Sequence, residues 1–127
     1  MLKRVQSPDV ETVDFLLNAS YYDDDAHLPT LLRLCVTDSA HFKIYKYMID
    51  NKTVGACLVR IEDSIFYIWL CSGKEFFDWA YDGSRELGEE AKLLGCKKMK
   101  FYGRLGWLRR YPENWKPNAV ELVMELK

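Results

Sequence analysis

The sequence predicts one mixed α/β domain over residues 1–127, with a mostly antiparallel sheet and one parallel strand pair around a long crossover helix. Three observations predict it. Ile65 to Cys71 is a short apolar run rich in β-branched and aromatic residues, as in a strand buried on both faces. Ser72 to Leu94 then changes period: Phe76, Ala80, Ser84, Leu87, Ala91 and Leu94 mark one helical face, and Gly95 is a natural stop. Lys97 to Tyr102 is a second strand, with Lys98 and Lys100 alternating with Met99 and Phe101. Strand, long helix and strand make a right-handed crossover between parallel strands.

The remaining elements follow from local signals. Leu2 to Val5 reads as a first strand. Ser7-Pro8 opens a helix that runs to about Ala19, with Ser as cap and Pro in the first turn. Asp23, Asp24 and Asp25 either bind a cation or basic partner or cap the next helix, Ala26 to Val36. The cap is favoured, because a calcium loop needs alternating ligands and a distal Glu. Phe42 to Ile49, Thr53 to Ile61 and the strand from Ile65 are joined by Asp50-Asn51-Lys52 and Glu62-Asp63-Ser64, an antiparallel meander. A short helix is expected after Tyr102. Tyr111 to Pro117 reads as a turn-rich loop, and Ala119 to Leu126 as a final strand with one wetter face. The expected order is β-α-α-β-β-β-α-β-α-β.

Composition narrows the functional classes. With 49% hydrophobic residues in 127, the chain supports one core. No apolar run is long enough to span a membrane and no secretory leader stands at Met1, so neither secretion nor membrane insertion is expected. Cys35, Cys57, Cys71 and Cys96 are scattered, without a Cys-x-x-Cys, and read as buried, reduced thiols. His27 and His41 stand apart, and no metal site is predicted. Charge is uneven. Residues 1–90 carry nine basic and sixteen acidic side chains, whereas residues 91–118 carry eight basic and one acidic. Lys98, Lys100, Arg104, Arg109 and Arg110 are expected to form one basic patch, either solvating the surface or meeting phosphates or an acidic partner.

The element order, with Gly103-Arg104-Leu105-Gly106-Trp107 following a strand entered at Gly95-Cys96, resembles the GNAT acyltransferases. The pattern around Gly103, Arg104, Gly106 and Trp107 is similar to one in small GNAT-like proteins of tailed bacteriophages, including internal virion and head-assembly proteins of short-tailed phages. Arg104 and Trp107 serve there either as packing and capping residues or as ligand contacts. The resemblance covers nearly the whole chain and implies the GNAT fold. For an active member it implies a glycine-rich loop between the fourth strand and the long helix, closing on the pyrophosphate of coenzyme A.

This chain departs from that loop. It carries Ser72-Gly73-Lys74-Glu75, followed by bulky Phe76 and Phe77. Ser72-x-x-Glu75 has the spacing of a capping box, which would occupy the amides a pyrophosphate needs and set a carboxylate beside them. Lys74 compensates in part. A family-type acid toward the thiolate would be Tyr111, with Tyr102 as a second position, and neither has a diagnostic context. Glu62 and Asp63 read as solvated turn carboxylates. Cys71 beside a helix start is either an activated thiol or a buried structural one, the latter being favoured.

Three functions are ordered from these readings. The first is a non-enzymatic phage virion or assembly protein with a degenerate coenzyme A site and no cofactor, acting through other virion proteins or self-association, in the virion or host cytoplasm. The second is an N-acetyltransferase using acetyl-CoA. The third is a nucleic-acid contact through residues 91–118, where Phe101, Tyr102, Trp107 and Trp115 interleave with positive charge.

Overall fold

The computed structural model describes residues 1–21, 25–102, 116–118 and 121–126; at 76, 77, 102, 116–118 and 121–124 it describes the backbone alone. The elements are β1 (Leu2–Val5), α1 (Val10–Ser20), α2 (Leu28–Thr37), β2 (Phe42–Ile49), β3 (Lys52–Glu62), β4 (Ile65–Gly73), α3 (Phe76–Leu93), β5 (Lys98–Tyr102), β6 (Lys116–Asn118) and β7 (Glu121–Glu125). The strands form one sheet in the order β1-β2-β3-β4-β5-β7-β6. As the crossover argument requires, β4 and β5 are parallel, with Ile65–Ile68 against Lys98–Phe101. The other pairings are antiparallel.

The meander is specified by its turns. Ile49 pairs with Lys52 and Glu62 with Ile65, leaving two-residue loops. Asp50 and Asn51 have φ of 50° and 63°, and Asp63 and Ser64 have φ of 54° and 64°. Two successive left-handed residues match the right-handed twist of the strands they join, and Asn, Asp and Ser tolerate that conformation through local hydrogen bonding.

Each face of the sheet has its own core. Tyr45, Cys57, Val59, Phe66, Ile68, Met99 and Phe101 pack with Leu87 and Ala91 of α3. Ile44, Leu58 and Leu70 pack with Leu16 of α1 and Leu28 and Leu31 of α2. β4 is therefore not buried throughout. Phe66, Ile68 and Leu70 are buried, whereas Ile65, Tyr67 and Trp69 are half-buried. The reason is coverage: α1 packs on β3 and β4 and α2 on β2, so these helices shield only part of their face.

Helix starts depart from the sequence reading. α1 is capped by Asp9, whose Oδ1 accepts the Thr12 amide at 2.8 Å, and not by Ser7. A carboxylate at this position supplies both the hydrogen bond and a charge that favours the helix dipole. α2 begins after His27, with Pro29 in its first turn, so the cap does not fall to the acids. Asp25 is exposed outside the helix, and Asp23 and Asp24 lie outside the described residues. Proline prefers the first turn of a helix and sets the start beyond the acidic run. α3 ends as expected, with Gly95 at φ 82°, but Leu94 is exposed at the cap and does not join the buried face. β6 was not expected within the segment read as a loop. Its Pro117 is tolerated because β6 is an edge strand. The expected short helix after Tyr102 lies outside the described residues. Among the described residues, no helix is long and apolar enough to cross a membrane.

Candidate functional site

The site is built where β4 runs into α3. The strand register passes over one extra residue in β3, Val54, and one in β4, Trp69. Such bulges bend a strand and re-aim its groups. The Val54 carbonyl accepts the Lys74 amide at 2.7 Å. The Lys74 carbonyl in turn accepts Nε1–H of Trp79 at 2.8 Å. The buried Trp79 ring stacks on Tyr47, with centroids 5.1 Å apart and planes at 14°. It also lies against Gly55 and Gly73, where an added Cβ would approach the ring to 2.5 Å. Glycine is required at both places by this close approach. The turn between β4 and α3 is thus clamped from β2, β3 and the helix itself.

The capping box does not form. β4 continues to Gly73, which pairs with Gly55, so Ser72 is still a strand residue. Its hydroxyl donates to the Phe15 carbonyl of α1. The N-cap of α3 is Glu75, in the left-handed conformation at φ 50°, ψ 42°, and its side chain makes no cap hydrogen bond. Ser72 stands three residues too early to cap this helix, which is why the spacing misleads. Among the described residues no side chain bonds the amino end of α3, where the Asp78 amide donates to the Glu75 carbonyl at 3.0 Å and the remaining first-turn amides keep the positive end of the helix dipole. Lys74 and Glu75 are exposed beside it, and Asp78 is an acid in its first turn.

β4 outruns its pairing with β5 on the way to this helix end. β5 follows β4 only as far as the Ile68–Phe101 pair. Tyr102 pairs with Glu121 of β7. β4 continues for five more residues, Trp69 to Gly73, of which Leu70 to Gly73 pair with β3 alone among the described strands. The Trp69 bulge falls immediately beyond the last β4–β5 pair. Beyond that pair no described strand stands on this edge of β4, which runs toward the amino end of α3.

Lys98 and Lys100 share one face of β5. Lys98 is exposed and pairs with Glu125 at 3.5 Å, while Lys100 is half-buried. The other expected patch members, Arg104, Arg109 and Arg110, lie outside the described residues, as do Gly103, Gly106, Trp107 and Tyr111. All four cysteines are free thiols. Burial pushes the Cys71 thiol up to about 12, the opposite of an activated nucleophile. Among the described residues, no group of three His, Cys, Asp or Glu gathers as a metal site. Glu62, read as a turn acid, is the last residue of β3 and an exposed carboxylate beside Arg60; the turn itself is Asp63 and Ser64.

Trp79, Gly55 and the Val54 bulge escaped the sequence reading. Trp79, Gly83, Leu87 and Ala91 form a four-residue stripe that was there to be read. It lies one position away from the Phe76–Ala80–Ser84 stripe, so periodicity alone did not choose between them.

No protein-family model matches the chain, and no curated protein matches its sequence. Solved structures do match its shape. A probable acetyltransferase from Staphylococcus epidermidis superposes with a TM-score of 0.72 at 8% identity, covering 100% of this chain and 99% of that one. An IAA acetyltransferase from Bacillus cereus gives 0.63 at 16% identity, with 99% of each chain covered. A Bacillus subtilis acetyltransferase in complex with CoA gives 0.61 at 16%, over 99% and 98% of the two chains. At such identities the likeness is one of architecture, and the architecture is the GNAT acyl-CoA N-acyltransferase fold.

Proposed function

We propose that this protein is an N-acyltransferase that takes its acyl group from acyl-coenzyme A. The pyrophosphate would be held by the first amides of α3 with help from Lys74, and the acyl arm would lie between β4 and β5 beyond the Ile68–Phe101 pair. The observation that carries this reading is the amino end of α3, where Glu75 makes no side-chain cap bond, beyond the point at which β5 stops pairing with β4; the proposed cleft is the space between those two strands. Backbone amides at a helix start are matched to a phosphate anion, and the Trp79 clamp holds their turn in place before any ligand arrives.

Direct attack by the acceptor amine suits the residues better than an acyl-thiol intermediate. Burial raises the thiols of Cys35, Cys57, Cys71 and Cys96, so none is primed as a thiolate. The acetyltransferase neighbours add weight to this reading. The phage assembly role expected first from the sequence drew on the Gly103–Trp107 pattern, which lies outside the described residues, and on a departed loop whose capping box does not form.

The test is titration calorimetry with acetyl-coenzyme A at moderate salt, followed by thiol release in the presence of mixed amines. Saturable micromolar binding, weakened severalfold by Lys74→Glu, is expected. Absence of saturable heat up to millimolar ligand would return the protein to a non-enzymatic role.

A further inference from the structure

We propose that the acceptor amine carries a carboxylate, and that Arg60 binds it. This inference rests on the acyltransferase reading above and names the substrate class of the same cleft.

Arg60 of β3, Tyr67 of β4 and Lys100 of β5 are register partners, so they form one row across three strands. The row lies on the face that α1 and α2 cover only in part. The Arg60 guanidinium carbon is 5.2 Å from the centroid of the Tyr67 ring and 5.4 Å from that of Trp69. Two rings at that range fix the orientation of a planar cation and strip part of its water. Its Nε is buried and has no hydrogen-bond partner among the described residues. Among the described residues the acid paired with it is Glu62, whose Oε2 is 3.7 Å from Nε, beyond hydrogen-bond reach, and which is itself 64% exposed. Yet 41% of the Arg60 side chain remains open to solvent. A held, partly desolvated guanidinium with an open side is the arrangement that recognises a carboxylate strongly and directionally.

Position gives this anion site a role in the reaction. Tyr67–Lys100 is the pair just before Ile68–Phe101, where β4 and β5 separate. Arg60 is therefore about one strand spacing (~4.8 Å) and one residue rise (~3.3 Å) from the start of the cleft. An amine meeting the acyl carbon there would place a carboxylate a few bonds away beside Arg60. Small α- or ω-amino acids have that span. Acyl transfer then forms the amide N–C bond and breaks the thioester C–S bond. The nitrogen releases one proton to solvent and the departing thiolate takes one up from it, so coenzyme A leaves as the thiol.

The experiment compares α- and ω-amino acids with their carboxamides as acceptors, following thiol release from acetyl-coenzyme A. The acids should be used at least tenfold more efficiently in kcat/KM, with the difference in KM falling as salt rises. Arg60→Gln should abolish that preference while leaving acetyl-coenzyme A affinity, measured by calorimetry, unchanged. Arg60→Lys keeps the charge but not the stacked plane, and should retain only part of the preference. Equal use of acids and amides by the wild type overturns the proposal whether or not the variants fold. So does a preference that survives Arg60→Gln, or binding of acetyl-coenzyme A with no turnover of either series. Failure to bind acetyl-coenzyme A would refute the acyltransferase reading itself.

Discussion

Two helix starts in this molecule are built in opposite ways. At α1, Asp9 accepts the Thr12 amide at 2.8 Å, and Lys46 stands 3.6 Å from its other oxygen. At α3, the cap position is a left-handed Glu75 with no side-chain bond, although Ser72 three residues earlier had the chemistry to be one. Ser72 instead ties β4 to the Phe15 carbonyl of α1. The first start is closed by the chain itself and serves stability. The second is held from behind, by Trp79 and the Val54 carbonyl, while its cap residue makes no side-chain bond in front. A helix end can be rigid without being capped, and that combination is what an anion site requires.

The largest effect on this contrast should come from Gly73→Ala. Its Cβ would meet the Trp79 ring at 2.5 Å and the Val54 carbonyl at 2.6 Å, and neither backbone nor clamped ring can yield cheaply. We expect a loss of about 3 kcal/mol in urea unfolding, at the upper end of overpacking costs. A loss below ~1 kcal/mol would mean the clamp is loose.

Asp9→Ala and Ser72→Ala come next, each at about 1 kcal/mol, for different reasons. The first removes a cap and the second a tether between α1 and β4. Amide exchange separates them: Asp9→Ala should expose the first turn of α1, whereas Ser72→Ala should leave the first turn of α3 unchanged. Faster exchange at the α3 start in Ser72→Ala would restore the capping box.

Asp9 also predicts a pH dependence. Its hydrogen bonds from Thr12, with Lys46 adding to them, hold its carboxyl below the usual carboxylate value. A depressed native pKa stabilises the fold fully above the unfolded value, near 4, and the gain disappears as pH falls through the lower native one. The stability gap between wild type and Asp9→Asn should therefore narrow below about pH 4, as read by thermal unfolding.

Trp79→Phe keeps a ring over the glycines but loses the bond to the Lys74 carbonyl. About 1 kcal/mol of stability should go with it, accompanied by weaker acetyl-coenzyme A binding if the clamp preorganises the turn. The smallest stability change is expected for Glu75→Gly. Glycine suits φ 50° better than glutamate, but it also gains freedom in the unfolded chain, so the two terms nearly cancel. Removal of the carboxylate should nonetheless tighten acetyl-coenzyme A binding severalfold in calorimetry. Unchanged affinity would argue that the anion does not sit at this helix end.

The fold was largely legible because its signals are strong and local. The apolar run at Ile65, the helical stripe ending at Gly95, and the Asp50-Asn51 and Asp63-Ser64 turns each decide an element on their own. The site was less legible because it depends on a boundary. Whether Ser72 is a helix cap or a strand residue turns on two more residues of pairing with β3, and Gly55 sits far away in sequence. The same holds for Arg60, which looks like an ordinary alternating strand residue until Tyr67 and Trp69 are brought beside it. Lys98 and Lys100 were read correctly as alternating with a buried pair, since strand period is a local property.

The two-residue turns have a consequence for how the molecule is assembled in time. β2, β3 and β4 are joined by loops that close over almost no chain, so their pairing costs little loop entropy and forms among near neighbours. β5 must wait for the whole of α3 to cross over before it meets β4. Such non-local pairing is the slow kind. The meander should therefore be the early-folding half and the β4–β5 junction the late one. In pulse-labelled refolding, amides of β2 and β3 should become protected before those of β5 and β7. The cleft would then be the last part of the sheet to close, and the first to open when the protein unfolds locally.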